Sequence, residues 1–279
     1  MTTIGLIGLG LIGGSLGLDL KAMQHHVIGV SRKPKTCDRA LERGAVDRAS
    51  TDLTQVAQAD VIFVCTPIGL IQPTMEQLVP RLASHSIVTD VGSVKAPVVQ
   101  AAEALWPNFV GGHPMAGTSE SGIDAALTHL FVDRPYVITP TEKTPQAATR
   151  AVADLARSLQ SRVYECSPEE HDQAVAWISH LPVMVSASLL AACDREDNLQ
   201  VHELAKTLAS SGFRDTSRVG GGNPELGRMM AQYNQAALLR SLQGYQDQLD
   251  QVRSLVQHSQ WDELENLLRK NQGDRPGYL

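Results

Sequence analysis

The chain has 279 residues, 43% hydrophobic and 19% charged, a composition typical of a globular protein with one large domain or two modest ones. The net charge of −6 argues against a general nucleic-acid surface, and we expect no membrane helix because no stretch approaches about 20 uninterrupted apolar residues. The N-terminus lacks a basic region before its apolar stretch, and the four cysteines lack metal-ligand spacing, so we expect a cytoplasmic protein with reduced thiols and no metal.

Short β-branched runs alternate with helical stretches over the first part of the chain. The predicted strands are Ile4–Ile7, Val27–Val30, Val61–Cys65, Ile87–Asp90, a short one at Val110, Tyr136–Thr139 and Val163–Cys166. Alternation of this kind is typical of parallel βαβ units, so residues 1–166 are predicted to form an α/β domain.

Strand patterns stop after residue 166, and residues 167–279 are predicted to form an all-helical domain. The predicted helices are Pro168–Cys193, Leu199–Ser211, Pro224–Gln257 and Trp261–Lys270. A glycine-rich hinge precedes the third, with Asn223 as N-cap and Pro224 as first helical residue. The apolar stripe of that helix is too long for a small domain to cover, which favours a homodimer; the alternative is a compact bundle within one chain.

A glycine pattern opens the first predicted helix. Gly8, Gly10 and Gly13, with Leu11 and Ile12 between the last two, follow a strand and begin a helix, which is the context in which this pattern predicts dinucleotide binding. The glycines permit a tight turn and bring backbone amides close to a pyrophosphate at the helix N-terminus. The first domain is therefore predicted to be Rossmann-type; the alternative is a turn that serves packing alone.

The end of the second strand indicates which dinucleotide binds. An NAD enzyme usually places an acidic residue here to bind the ribose hydroxyls, whereas this chain has Ser31, Arg32 and Lys33. A hydroxyl and two cations suit a 2′-phosphate, so NADP is the predicted cofactor. The alternative is a solvated basic turn, and Lys33 could simply point to water.

Further candidate residues lie at the carboxyl ends of later strands, where open α/β sheets bind ligands. Thr66 and Pro67 follow one strand and Ser93 follows another, so both segments should face the nicotinamide. His113 stands among small residues after a short strand and is the leading catalytic candidate, because a neutral imidazole can accept a hydroxyl proton. Ser93 could orient its ring. The alternative is a structural histidine that caps a turn.

Two polar groups stand out in the helical region. His180 lies beside Pro182 in an apolar helix, and its pattern alone favours a satisfied core histidine. Arg214 and Arg218 lie among hydroxyl residues just before the glycine hinge, and guanidinium groups suit substrate carboxylates. An exposed loop with surface arginines is the alternative.

In this order, the motifs resemble those of the prephenate/arogenate dehydrogenase family over nearly the whole chain. The matching segments are Gly8–Gly13, Asp90–Lys95, Gly112–Thr118, Ile178–Pro182 and Phe213–Arg218, of which the third is the most specific. The resemblance implies that His113 engages the substrate ring hydroxyl, that Ser93 supports it and that Arg218 binds a carboxylate. It places His180 at the border of the site and Thr118 beside the substrate.

The chain looks most similar to the cyanobacterial branch, whose members generally prefer arogenate and NADP. The resemblance implies oxidative decarboxylation: hydride passes to the nicotinamide, His113 takes the hydroxyl proton, and the ring loses carbon dioxide. One departure is Ser119, where many prephenate-specific members have an acid, which here comes one position later at Glu120. The contacts to the substrate are therefore expected to differ from those of the prephenate-specific members. Prephenate is the alternative substrate, and we expect no tyrosine-sensing ACT-type module.

Two other functions share the plan of the chain. A β-hydroxyacid dehydrogenase or imine reductase has the same glycine pattern, but the hydroxyacid enzymes use a lysine at the start of the helical domain. Here the lysines after Lys143 are Lys206 and Lys270, neither of them near a motif. A non-catalytic NADP sensor would need neither His113 nor Arg218.

Overall fold

The computed structural model describes residues 2–118 and 120–278, and the first half of the chain is built on one eight-stranded sheet. The strands are β1 (Thr3–Ile7), β2 (His26–Val30), β3 (Arg48–Ser50), β4 (Val61–Val64), β5 (Ile87–Asp90), β6 (Phe109–Pro114), β7 (Pro135–Thr139) and β8 (Arg162–Glu165). Their order is β3-β2-β1-β4-β5-β6-β7-β8, and every neighbouring pair is parallel except β6 and β7.

Helices connect these strands and then make up the rest of the chain. Those among the strands are α1 (Leu11–Ala22), α2 (Pro34–Glu42), α3 (Ile68–Leu78), α4 (Ala96–Leu105) and α5 (Gln146–Ser158). Those after the sheet are α6 (Pro168–Val175), α7 (Leu181–Cys193), α8 (Leu199–Leu208), α9 (Ser211–Ser217), α10 (Pro224–Tyr233), α11 (Gln235–Gln257) and α12 (Trp261–Asp274). The predicted class, a Rossmann-type α/β region followed by helices, is confirmed.

Alternate residues of the central strands feed two separate hydrophobic cores. Ile62 and Val64 of β4 lie in one core with α3 and α4, whereas Val61 and Phe63 lie in the other with α1 and α2. Successive side chains of a strand point to opposite faces, so the sheet is buried on both sides, as its near-continuous apolar strands require. The strand ends are therefore the part of the sheet left for polar chemistry.

The sheet differs from the prediction at three places. The short edge strand β3 was not predicted, because its sequence Arg48-Ala-Ser50 carries almost no apolar signal. Parallel pairing was predicted throughout, but β7 runs antiparallel to β6. His113 was expected after a short strand and instead lies inside β6, which continues to Pro114 because it pairs with β7.

The predicted helix Pro224–Gln257 is two helices, because the chain breaks at Asn234 (φ −120°, ψ 38°). This residue is only 6% exposed, and its side-chain amide donates to the Asp172 carbonyl at 2.8 Å. The break places the amide against α6, a contact that the apolar spacing of the segment does not reveal. The helix start is as predicted, since the Asn223 side chain accepts from the Glu225 and Leu226 amides ahead of Pro224.

Replacing Asn234 with alanine should destabilise the protein. The change removes the donor to His180 Nδ1, which stands 3.1 Å from the Asn234 amide nitrogen, and one of the two donors to the Asp172 carbonyl, which still accepts from the Ala176 amide. A buried polar group left unsatisfied typically costs about 1–3 kcal/mol. Thermal unfolding at one fixed protein concentration measures the effect, with Gln235→Ala, an exposed position one residue away, as the matched control. An Asn234→Ala protein that melts with the control would show that the break does not depend on this amide.

One helical run has the length and mean hydropathy of a membrane span, although polar residues interrupt it. It extends over the 26 residues Pro168–Cys193. Its most apolar 18-residue window has a mean hydropathy of 1.6, and 28% of that window is buried. The run contains a π-helical turn at Ala176–His180 and carries buried polar side chains, Asp172 and His180 among them, that bond to other elements. These contacts tie the run to the rest of the protein.

Candidate active site

The turn from β1 into α1 has the geometry of an anion cradle. Gly8 adopts a φ of +100°, and a Cβ on Gly13 would lie 2.0 Å from the Gly8 carbonyl oxygen, so neither position tolerates a side chain. Gly10 faces open space, since no atom of the described residues lies within 4 Å of where its Cβ would stand. In that part of the chain no side chain caps the N-terminus of α1, so the amides of its first residues, Leu11 and Ile12, remain available to a phosphate.

These glycines should respond differently to alanine. Gly13→Ala forces the turn apart and should lower both the melting temperature and dinucleotide binding. Gly10→Ala meets open space and should preserve the melting temperature while weakening binding, because the methyl group occupies the approach of the pyrophosphate. Calorimetric titration and thermal unfolding of both variants measure the difference. Equal destabilisation by the two substitutions would refute this assignment of roles.

The neighbouring strand ends extend the cradle in both directions. The Gly8 amide donates to the Val30 carbonyl at 2.8 Å, which places the end of β2 and its Ser31, Arg32 and Lys33 next to the turn. Arg32 and Lys33 are exposed, and within the described residues no carboxylate forms an ion pair with either. On the other side, Thr66 and Pro67 follow the end of β4, and Thr66 Oγ1 is buried without a partner in the described chain. The residues present fit a nicotinamide dinucleotide at the point where the strand order reverses.

His113 belongs to a buried chain of hydrogen bonds that joins the sheet to α6. Its Nδ1 lies 2.8 Å from His171 Nε2, and the two rings meet edge to face with centroids 5.1 Å apart. His171 Nδ1 lies 2.8 Å from Asp172 Oδ1. The same carboxylate caps α4, since it accepts from the Lys95 amide at 2.7 Å and from the Ala96 amide at 2.8 Å.

A buried ion pair fixes the backbone that carries His113. Lys95 and Asp90 are both fully buried and paired through Nζ and Oδ2. Lys95 Nζ also donates to the Gly112 carbonyl at 2.7 Å, and the Gly112 amide donates to Asp90 Oδ1 at 3.2 Å. Both the carbonyl and the amide of Gly112, the residue before His113, are therefore fixed by hydrogen bonds to this ion pair.

His180 lies in the same polar cluster and keeps one ring nitrogen free. The Asn234 amide nitrogen, which donates to the Asp172 carbonyl, stands 3.1 Å from His180 Nδ1 and must donate there too. Nδ1 thus carries no hydrogen, and the neutral ring has its N–H on Nε2, which is buried without a partner in the described residues. Such an unpaired donor indicates a ligand group that accepts from it.

The surroundings keep both site histidines neutral. Burial lowers the pKa of His113 well below 6.5, and the charges of His171, Lys95 and His180 lower it further. Burial also lowers the pKa of His180 to about 4, although Asp172 opposes that shift. At neutral pH, His113 therefore has a free lone pair with which it can accept a proton.

Two other predicted site residues, Ser93 and Thr118, form no hydrogen bond with His113 in the described part of the chain. Ser93 Oγ is buried without a hydrogen-bond partner in the described chain, and the group that contacts the His113 ring is His171. Thr118 is exposed and its hydroxyl accepts from the Glu120 amide at 3.2 Å; the departure noted at Ser119 lies outside the described residues.

Both predicted arginines are exposed, and within residues 2–118 and 120–278 no hydrogen bond joins either to His113 or His180. Arg218 opens a short 3₁₀ turn, Arg218–Gly221, that packs on α7 through the Gly220 amide and Ser186 Oγ at 2.8 Å. Arg218 thus stands on an element docked against the helix that follows His180. Arg214 lies in α9 and is 3.4 Å from its neighbour Asp215.

Sequence reasoning did not identify His171, nor the parts played by Asp172 and Asn234. His171 stands 58 residues from its partner His113, so no local pattern could have joined them. One signal was available in the sequence. Ser167-Pro-Glu-Glu170 is a capping box that starts α6, and this helix start places His171 and Asp172 on the buried side of the helix.

Two family models together match most of the chain. Residues 16–165 match the model described as prephenate dehydrogenase, nucleotide-binding domain, and residues 167–270 match prephenate dehydrogenase, dimerization domain. The chain belongs to the prephenate dehydrogenase family. It is accordingly an oxidoreductase of aromatic amino acid biosynthesis that acts on a small molecule with a nicotinamide dinucleotide, and the predicted membership is confirmed.

Individual relatives of this family member agree. Prephenate dehydrogenase of Bacillus subtilis is 35% identical over 274 residues, covering 96% of this chain and 72% of that protein. Cyclohexadienyl dehydrogenase of Zymomonas mobilis is 31% identical, covering 98% of this chain and 94% of that protein.

Two solved structures are similar over the whole length. Arogenate dehydrogenase of Synechocystis is 55% identical with a TM-score of 0.91, covering 99% of this chain and 100% of that chain. Prephenate dehydrogenase of A. aeolicus, in complex with hydroxyphenyl propionate and NAD+, is 26% identical with a TM-score of 0.94, covering 100% and 99%. The first supports the predicted likeness to the cyanobacterial branch.

Proposed function

We propose that this family member is an NADP-dependent arogenate dehydrogenase that forms tyrosine, with residues 1–166 as the dinucleotide-binding domain and 167–279 as the helical domain. The observation that supports NADP over NAD is the turn Ser31-Arg32-Lys33 after β2, which has two exposed cations and no acid where the ribose would bind. The 55% identity to Synechocystis arogenate dehydrogenase supports the substrate. We place the enzyme in the cytoplasm.

The residues of the site divide the reaction between them. When bound, the nicotinamide accepts the hydride from the ring carbon that bears the hydroxyl. His113 takes the proton of that hydroxyl at Nε2 as the O–H bond breaks, and Ser93 Oγ supports the same oxygen. The bond to the ring carboxylate then breaks, carbon dioxide leaves, and the electron pair of that bond completes the aromatic ring. The former hydroxyl oxygen is then a phenolate, which recovers the proton from His113 Nε2 and gives the phenol of tyrosine. Because aromatisation drives the reaction, the protein chiefly has to orient the substrate.

Carboxylates and cofactor have separate partners in this proposal. Arg218 binds a substrate carboxylate, assisted by Arg214 and Thr118, and the Nε2–H of His180 donates to the substrate at the border of the site. Gly8, Gly10 and Gly13, with the amides of Leu11 and Ile12, would hold the pyrophosphate, and Thr66 and Pro67 would border the nicotinamide. This arrangement places the ring between the strand ends and the helical domain.

An assay of four substrate pairs tests the proposal directly. Arogenate and prephenate are each supplied with NADP and with NAD, and reduced nicotinamide is followed by absorbance. Turnover that is fastest with arogenate and NADP is the expected result. Faster turnover of prephenate would assign the alternative substrate, whereas silence in all four would favour a hydroxyacid dehydrogenase, an imine reductase or a non-catalytic sensor.

We also propose that the helical domain forms a homodimer. Large apolar side chains of α8 and α11 are exposed in the single chain, including Leu199 (75%), Leu208 (68%) and Leu239 (59%). Apolar faces of this extent need a partner surface, and the helical region matches a dimerization domain model. Burial in the dimer would also cover much of the apolar run that includes α7.

Charges placed on α8 should dissociate this dimer. Leu204 and Leu208 lie one turn apart and are both exposed, so aspartates at both positions would put two charges into the interface. The lost burial of two leucines, about 1.5–3 kcal/mol each, should raise the dissociation constant about 100-fold or more. Light scattering after size exclusion measures the mass, and Thr207→Asp adds a charge to the same helix as the control. A stable dimer in the double variant would place the interface elsewhere.

A further inference from the structure

The hydrogen bonds around Asp172 determine which nitrogen of His171 carries a hydrogen. The carboxylate can only accept, and its two oxygens already accept the Lys95 and Ala96 amides at 2.7 and 2.8 Å. His171 Nδ1, 2.8 Å from Oδ1, must therefore donate to it. In a neutral His171 ring, the remaining nitrogen, Nε2, then has a lone pair and no hydrogen.

That lone pair determines the tautomer of His113. His113 Nδ1 lies 2.8 Å from His171 Nε2, so one of these nitrogens must supply the hydrogen. Because His171 Nε2 has none, His113 Nδ1 donates, and the lone pair of the His113 ring stands on Nε2. We propose that His171 and Asp172 are positioning residues that hold His113 in the tautomer whose Nε2 accepts the substrate proton.

The chain of bonds also accommodates the charge that the reaction creates. When the hydroxyl proton arrives at His113 Nε2, the ring becomes a cation whose Nδ1–H already donates to His171. The Asp172 carboxylate lies two hydrogen bonds away and balances that charge within a site where His113 is 8% and His171 2% exposed. In the opposite tautomer His113 Nε2 would carry a hydrogen and could not act as a base.

Asp172 belongs to α6 and caps α4, so the tautomer depends on the contact between the helical region and the sheet. Lys95 and Ala96 hold the carboxylate in place from the β5–α4 connection. Asn234 holds the carbonyl of the same residue. His113 is therefore held in the tautomer that can accept a proton only when the helical region is in contact with the sheet region.

This inference rests on the proposed function of His113 as the base, and its first test does not require a substrate. Nitrogen NMR of the full-length protein labelled with 15N-histidine, assigned with a His113→Gln variant, shows which ring nitrogens carry hydrogen. The expected result is a His113 ring protonated on Nδ1 alone. A hydrogen on Nε2 in the free enzyme at neutral pH would overturn the inference, whatever substrate the enzyme proves to use.

The second test separates positioning from structural support. His171→Ala removes the acceptor, whereas His171→Gln can present its amide oxygen where Nε2 stood and so restore it. We expect His171→Ala to lower kcat by about 10- to 100-fold, part of the range for general-base catalysis, with NADP binding unchanged. Glutamine should recover most of that loss, and Gln173→Ala, exposed on the same helix, should have no effect. Full activity in His171→Ala, or equal loss in the alanine and glutamine variants, would contradict a positioning role; absence of wild-type turnover would instead reject the proposed function.

Discussion

Replacement of His113 with alanine is expected to lower kcat by about 10²- to 10⁴-fold, the range typical of a lost general base. The imidazole is 8% exposed and neutral, held by β6 on one side and by His171 at Nδ1 on the other, so its remaining nitrogen is the one available to substrate. Steady-state kinetics with arogenate and NADP measure the change. NADP binding, followed by fluorescence or calorimetry, should stay nearly intact because the cradle lies at β1 and β2.

The control for this variant is a second histidine away from the site. His85 is exposed beside Asp60 at the opposite end of the sheet strands, and His85→Ala should leave kcat unchanged. A His113→Ala protein that loses NADP affinity along with turnover would point to a structural part for the ring. The same would follow from a melting temperature well below that of the His85 variant.

The features predicted correctly from sequence depend on neighbours along the chain. The turn from Gly8 to Gly13 combines a residue with positive φ and a helix start, and both are determined by residues close together in the sequence. The N-cap at Asn223 is equally local. Alternation of short apolar runs with helices was enough to predict an α/β region built on βαβ units, because parallel strands need crossovers of that length.

Pairings between distant segments could not be predicted in the same way. The antiparallel β7 has the same apolar pattern as the parallel strands, so its sequence does not show that it runs opposite to β6. The break at Asn234 depends on Asp172, which lies 62 residues earlier. Apolar periodicity predicts the buried face of a helix but does not show that a polar side chain on that face finds a partner elsewhere.

In the site, too, local features were predicted correctly and contacts between distant residues were not. Sequence placed His113 and Ser93 at the strand ends, and the structure puts both at that edge, but it assigns the ring contact to His171 rather than to Ser93. A single sequence cannot show which of several nearby polar groups reaches a ring nitrogen, because a rotation about one side-chain bond changes the answer. The functions of Ser93, Arg214 and Arg218 therefore stay predictions for mutagenesis.

The choice of cofactor gives the most selective prediction. Arg32 is exposed at the end of β2, next to the glycine turn, with no ion pair in the described part of the chain. Arg32→Ala should raise KM for NADP about 10- to 100-fold, since hydrogen bonds to charged groups contribute about 1.5–3 kcal/mol. KM for NAD should hardly change, because NAD lacks the 2′-phosphate, so the same variant supplies its own control.

Arg32→Asp should have a larger effect than Arg32→Ala. An acid at this position can bind the ribose hydroxyls of NAD and repels the 2′-phosphate dianion, so the preference between the cofactors should reverse. Lys33→Ala should have a smaller effect, because the flexible ammonium of lysine lacks the planar fork with which arginine binds a phosphate. The ratio of kcat/KM values for NADP and NAD measures each step. If Arg32→Ala raised KM for NADP and for NAD equally, Arg32 would support the turn without contacting the 2′-phosphate. The basis for predicting NADP would then be lost.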